Sequence, residues 1–268
     1  MKIRPQAERK SAICASNAAT IVVRGHDLCA DLIGKVSFTD QVWLLVTGKL
    51  PSAAQRAVLD AALVAIAEHG LVPSVAASRM TLAAAPEALQ GAVAAGILGC
   101  GSVILGSAEA AARLLSSILA RAGASPLAKA VRDSLAELIG QRRAVPGYGH
   151  PLHKKSDPRV ARLLAVAKDV GLAGRHIEAA QAVEKLLPEL TGKPLRMNVS
   201  GALGAVLLDA GFPLLAVKGV PILARTAGLV AHLLEEQERP IGFALADTGA
   251  ASIRYDGPAP DGFVPGDS

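Results

Sequence analysis

The stretch Val145-Pro146-Gly147-Tyr148-Gly149-His150 runs directly into Pro151-Leu152-His153-Lys154-Lys155-Ser156-Asp157-Pro158-Arg159. It gathers two histidines, two lysines and an arginine just ahead of a helix that the sequence starts at Pro158. Glycines let backbone amides come close to a ligand, a helix N-terminus adds positive field, and an imidazole can carry a proton. Together these residue types suit an anion whose oxygen gains or loses a proton. Composition alone serves a basic, solvated loop equally well. The three cysteines, Cys14, Cys29 and Cys100, form no CxxC pair and have no histidine at ligand spacing, so neither a zinc site nor a disulfide framework is expected, and no metal is assigned. They read as reduced thiols of a cytoplasmic protein.

The elements that must position this loop are helical. Apolar residues recur at helical spacing almost throughout, and alternating β-branched runs are nearly absent after residue 25, which makes the fold all-α. A short extended arm covers Ala19 to Gly25. The first helix is expected to be capped at Thr39 and closed at Gly48, followed by helices over Ser52–Glu68, Ser74–Ala84 and Pro86–Gly99. Further helices are expected over Ser107–Arg121, Pro126–Arg142, Pro158–Val170, Arg175–Leu187, Ser200–Ala210 and Pro221–Gln237. The tail beyond Arg239, rich in Gly, Pro and Asp, is expected to be loosely ordered. Small residues between Ala92 and Gly99 allow close helix approach, which suits a subunit interface.

With 268 residues and 51% hydrophobic content the chain can bury a substantial core. The basic start has no continuous apolar core of signal-peptide length, and apolar runs elsewhere are broken by Gly and Asp, so neither export nor a membrane span is expected. The net charge is +5 but aromatics are only 3% and the basic residues are dispersed, so nucleic acid is not the expected partner. A positive pocket for a small anionic ligand fits better.

The loop resembles the PGYGH...DPR signature of the citrate synthase superfamily, and the Pro and His that follow His150 are similar to its citryl-CoA lyases. The likeness extends along most of the chain. Arg24-Gly25-His26-Asp27-Leu28 resembles the family's RGxD(I/L) arm, and Phe38 to Pro51 its FEExxxLLxxGxLP helix. Glu68-His69-Gly70 with Ser74, Ala77 and Arg79 resembles its (D/E)HGxxxS...AR element. Leu223-Ala224-Arg225-Thr226-Ala227-Gly228 with His232 resembles LARTxGxxAH, and Arg239-Pro240 its closing RP.

The resemblance implies a single citrate synthase-like domain of two helical lobes. The larger comprises residues 1 to about 104 and 200–268, the smaller residues 105–199, and the site lies in the cleft between them. It also implies that His150 exchanges a proton with the oxygen that is hydroxyl in citryl-CoA and carbonyl in oxaloacetate. His69 would contact that oxygen, and Arg159, Arg225 and Arg239 would clamp carboxylates, Arg239 from a neighbouring copy in a homodimer or higher assembly. The backbone of Val145, Pro146, Gly147, Tyr148 and Gly149 would hold the adenine of coenzyme A, with Lys154, Lys155 and Lys193 on its phosphates. Coenzyme A enters as a thioester substrate, and no covalent cofactor is implied.

Two positions depart from the family pattern. Ile104 stands where synthases carry the histidine that polarises the thioester carbonyl, and isoleucine cannot donate a hydrogen bond. Lyase-type relatives also lack that histidine. Ser200 stands where the family places a catalytic aspartate, and a hydroxyl lacks a carboxylate's basicity. Asp209 would point about 180° away on the same helix; Asp247 and Glu109 are other carboxylates that could be recruited. The implied activity is cleavage of citryl-CoA to acetyl-CoA and oxaloacetate, with Ser200 assisting reprotonation. The alternatives are a synthase-type acyltransferase joining an acyl-CoA to a 2-oxo acid, and a non-catalytic CoA- or citrate-binding homologue, which Ser200 favours.

Overall fold

The computed structural model describes residues 10–101, 105–123, 125–149 and 155–262. His150, Lys154 and Ile104 therefore lie outside the described residues. The described chain is all-α apart from a three-stranded antiparallel arm of β1 (Cys14–Ser16), β2 (Ile21–Val23) and β3 (His26–Asp27). Contacts group it into two compact units, one of Met1–Ala62 with Ala108–Val217 and one of Leu63–Ser107 with Lys218–Ser268.

In the first unit, α1 (Phe38–Thr47) and most of α2 (Ala53–Ala67) follow the arm. The cap of α1 is Ser37 rather than Thr39. Ser37 Oγ accepts the Asp40 amide while Asp40 accepts the Ser37 amide, a reciprocal box that satisfies two end donors. Thr39 instead donates to Asp60 of α2 at 2.9 Å. Helices α5 (Gly106–Ala122), α6 (Leu127–Gly140), α7 (Pro158–Asp169), α8 (Arg175–Thr191) and α9 (Val199–Asp209) complete this unit. All nine residues from Val199 to Leu207 are buried, which makes α9 its central helix. Gly204 lets α5 approach, since a Cβ there would lie 2.9 Å from the Ala112 nitrogen. Helix α8 continues past Pro188, where the sequence suggested a stop, and ends at left-handed Gly192. A proline this close to the end interrupts little of the hydrogen-bond ladder, and Leu187 beside it is fully buried.

The second unit holds the last turn of α2 with α3 (Pro73–Ala84), α4 (Leu89–Leu98), α10 (Gly219–Glu238) and α11 (Gly242–Ala251). Helix α4 starts at Leu89, after a turn containing Pro86, rather than at the proline. The tail expected to be loose forms α11 instead. Its first amides, Ile241 and Gly242, donate to the Glu236 carboxylate at the end of α10, so the cap comes from the preceding helix. The sequence shows only Ile241 at the usual capping position, which supplies no acceptor. One helical stretch, Leu214–Glu238, is long and apolar enough by length and composition to cross a membrane. Its α10 portion packs on α3 and α4 and buries Arg225 and Glu236.

Candidate functional site

In the first unit the glycine loop is tied to the chain just before α9. Gly147 and Gly149 both adopt positive φ, +88° and +83°. Asn198 N donates to the Gly147 carbonyl at 2.9 Å, Asn198 Nδ2 to the Gly149 carbonyl at 2.7 Å, and Gly149 N to the Arg196 carbonyl at 2.7 Å. Asn198 Oδ1 also accepts the amides of Ser200 and Gly201, so one side chain caps α9 and holds the loop. Tyr148 turns its hydroxyl to the Ala180 carbonyl at 2.7 Å, and burial, reinforced by the Glu184 charge, pushes its pKa far up. Its phenol is a structural donor, and any ligand role of this segment belongs to backbone. Val145 is buried, whereas Lys155 and Lys193 are exposed.

The loop leaves no room for side chains. A Cβ on Gly147 would lie 2.7 Å from Gly201 Cα, in a left-handed conformation that already disfavours L-residues. Gly147→Ala is therefore expected to destabilise the protein by about 2–4 kcal/mol, read as a lowered urea midpoint with unchanged slope. A midpoint within error of wild type would show that the loop yields freely.

Asp157 is the second tie. Buried at the N-terminus of α7, it accepts Arg159 N and Nε on Oδ1 and Arg159 Nη2 and Val199 N on Oδ2, at 2.8–3.1 Å. Burial raises its pKa, but the Arg159 fork and the Val199 amide outweigh this and hold the carboxyl below its usual range. One carboxylate thus fastens the start of α7, with Arg159, to the start of α9, with Ser200, which is 7% exposed. Of the other carboxylates that could stand in at position 200, Asp209 accepts the first amides of α8 (Gly174, His176, Ile177) and the His176 ring. Glu109 pairs with Arg113 one turn on, and Asp247 is exposed on α11.

In the second unit Arg225 is the unusual group. It is 3% exposed, and its Nε and Nη1 have no hydrogen-bond partner among the described residues. A buried guanidinium with Nε and Nη1 open is costly unless acceptors complete it, and because these two nitrogens face different edges of the plane they call for two separate acceptor oxygens. His69, half-buried, follows the end of α2 in a turn held by Glu68, whose Oε1 accepts the amides of His69 and Gly70. His232 Nε2 lies 3.0 Å from the same oxygen. Arg239 is exposed at the end of α10, where its carbonyl accepts Arg79 Nη2 at 3.0 Å. With Glu68 and His232 it lines a cavity of about 450 Å³.

Asp157, Asn198 and Glu68 were not among the functional groups expected from the sequence. The first two carry a signal, an Asp or Asn directly before a helix. Glu68 stands in the (D/E)HG motif, but its pairing with His232 carries no local signal, because His232 lies far along the chain.

Residues 54–242 match the family model described as citrate synthase, C-terminal domain. A citrate synthase of Heyndrickxia coagulans is 26% identical over 230 residues, which is 82% of this chain and 58% of that one. The chain spans little more than half the length of the curated relatives it matches. A solved citryl-CoA lyase from Hydrogenobacter thermophilus superposes with a TM-score of 0.84 at 30% identity, covering 96% of this chain and 98% of that one. An ATP citrate lyase from Methanothrix soehngenii, solved with citrate and coenzyme A, has the same fold, with a TM-score of 0.78 at 23% identity over 96% of this chain and 43% of the other.

Proposed function

The chain belongs to the citrate synthase family, and on that premise we propose that it is a carbon–carbon lyase that cleaves citryl-CoA to acetyl-CoA and oxaloacetate. The observation that carries the reading is Arg225, a buried guanidinium whose open Nε and Nη1, on two edges of its plane, suit an anion with several carboxylate oxygens. Lyase is preferred to synthase because the likeness to a citryl-CoA lyase runs over 96% of this chain, and because Ile104 cannot polarise a thioester carbonyl as a histidine would.

In this reading His150 removes the hydroxyl proton of citryl-CoA. The electron pair of that O–H bond forms the ketone of oxaloacetate as the adjacent C–C bond breaks, and those bonding electrons leave as the acetyl-CoA enolate. A proton returned to carbon then gives acetyl-CoA. His69 contacts the developing carbonyl, and Arg225 and Arg239 hold carboxylates, Arg239 serving a second copy in a homodimer, while Arg159, whose Nε and Nη2 are bound to Asp157, adds its remaining N–H groups. Backbone from Val145 to Gly149 takes the adenine, and Lys154, Lys155 and Lys193 take phosphates. Ser200, acting through water, assists the return of the proton in place of a carboxylate. The free thiols of Cys14, Cys29 and Cys100 support a cytoplasmic setting.

The test presents the purified protein with citryl-CoA, then with acetyl-CoA plus oxaloacetate, and follows thioester and oxaloacetate. Loss of citryl-CoA supports the lyase, while condensation alone would make the protein a synthase-type acyltransferase. No turnover in either direction with measurable CoA binding would leave a binding homologue, the reading that Ser200 favours. Ser200→Asp, at a helix N-terminus that favours negative charge, is expected to raise the cleavage rate by about 10²-fold or more. No gain would mean that position 200 does not face the reacting carbon.

A further inference from the structure

The second unit contains a polar assembly that the proposed reaction leaves unused. It consists of Glu68, just past the end of α2, and His232 of α10. Glu68 Oε1 receives three donors, the amides of His69 and Gly70 and His232 Nε2. These bonds, with the burial that opposes them, leave the Glu68 carboxyl below its ordinary pKa. Gly70 reverses the chain at φ +71°, and α3 begins at Pro73. The carboxylate therefore fixes the turn that carries His69.

Stability does not explain the placement. A carboxylate beyond a helix C-terminus sits at the negative end of the helix dipole, where it is disfavoured. The Glu68 side chain is also 47% exposed, and exposed pairs contribute little. The surrounding structure nevertheless fixes it closely. One turn before His232, Gly228 brings α10 into backbone contact with the last turn of α2, since a Cβ there would lie 2.2 Å from the Ala67 carbonyl oxygen. His232 is only 15% exposed on its side chain, and its Nδ1 is buried without a partner among the described residues. Arg225 lies seven residues earlier, on the same face of α10 and about 10 Å along its axis. One helix face thus carries both the open guanidinium and the group that holds the His69 turn.

We propose that Glu68 and His232 are positioning residues for His69, the His232 Nε2–H holding the Glu68 carboxylate so that it clamps the His69 and Gly70 amides and sets the direction of the His69 ring. This rests on the reading of His69 as a substrate contact. A positioned contact that strengthens as charge develops on the substrate oxygen affects turnover more than ground-state binding.

Two measurements on the full chain test it, for His232→Ala, His232→Gln, Glu68→Ala and Glu68→Gln. Amide hydrogen exchange is followed at His69 and Gly70, with the body of α2 as internal control. It should speed up about 10-fold or more in Glu68→Ala and His232→Ala, the loss of roughly one hydrogen bond to a charged acceptor. It should speed up less in His232→Gln, which keeps an N–H donor. With citryl-CoA, kcat should fall about 10-fold in both alanine variants while KM moves less than about twofold, with partial recovery in His232→Gln. Glu68→Gln, which keeps an acceptor oxygen, should fall between wild type and Glu68→Ala. Unchanged exchange at the two amides in Glu68→Ala overturns the clamp, whatever the activity. Faster exchange with unchanged kcat overturns the positioning role and leaves a structural cap. Wild-type protein that turns over neither citryl-CoA nor acetyl-CoA with oxaloacetate sinks the functional reading instead, and the exchange data still decide the clamp.

Discussion

Arg225→Met is expected to make the ligand-free protein more stable while nearly abolishing the citrate binding that the proposed function requires. The two effects have one cause. Arg225 is 3% exposed, and its Nε and Nη1 meet no acceptor among the described residues, so burying the charge carries a desolvation cost that these two atoms do not offset. Methionine fills a similar length with hydrocarbon and removes that cost, so stability should rise by about 1–3 kcal/mol. A bound carboxylate loses its charged donor at the same time. Truncating one side of a buried charge pair costs about 2–5 kcal/mol, or about 30- to 5,000-fold in the dissociation constant. Calorimetric titration with citrate and thermal melts of the apo protein read the two effects separately. Arg225→Lys should fall between, because an ammonium offers charge without the planar fork. A Met variant that binds citrate like wild type, or that melts well below it, would mean that Arg225 serves the fold rather than a ligand.

Glu236→Ala has the largest expected effect in the opposite direction. Its side chain is 2% exposed and lies 2.6 Å from the Nε of Arg79, itself 3% exposed, while its oxygens also accept the Ile241 and Gly242 amides. Removing it leaves the buried Arg79 Nε without its acceptor, with Glu235 and the Arg239 carbonyl still on the other nitrogens, and uncaps α11, a loss of about 3–5 kcal/mol. For a chain of this size that lowers Tm by roughly 6–20 °C. Glu235→Ala is the control. Its carboxylate also bonds Arg79 but is 48% exposed, so its loss should cost under about 1 kcal/mol. Equal losses in the two variants would refute the argument from burial.

The same group sets a pH dependence. Burial raises the Glu236 pKa, but the Arg79 bond and the two amides outweigh it and hold the carboxyl below its usual range. A carboxyl with a depressed folded-state pKa binds fewer protons folded than unfolded. Its stabilisation is therefore complete above the ordinary glutamate value, about 4.3, and is lost as pH falls through the lower folded value. Asp157 and Asp209 are held low by their own partners and act in the same sense. The urea midpoint should fall as pH drops from about 5 toward 2. The fall should be shallower in Glu236→Gln; an identical slope would assign the acid sensitivity elsewhere.

Much of this was legible in the residues alone. The period of 3.6 located α1 to α10 to within a few residues, because each helix repeats its apolar stripe along its own length, but it missed α11, whose cap comes from Glu236. The capping box at Ser37 is equally local. Ser-x-x-Asp stands in the sequence one turn's reach from the helix start, and Thr39 is a competing cap only until its hydroxyl is seen to serve Asp60. The order of motifs from Arg24 to Pro240 pointed to the family, whereas the left-handed backbone of Gly147 and Gly149, at +88° and +83°, came from the structure.

What the sequence by itself determined is the information that lies within a few residues: period, caps, turns and motif order. Only the tertiary structure decided which charges are spent on the fold and which remain open. Asp209 joins α8 from more than thirty positions away, Glu236 joins Arg79 across more than one hundred and fifty, and Glu68 finds His232 across a similar span. The Nε and Nη1 of Arg225 are left without a partner among the described residues. A carboxylate or guanidinium looks the same in sequence whether it meets a partner or water. The difference is made by helix packing, which brings distant polar groups within hydrogen-bond distance and removes the solvent that would otherwise satisfy them.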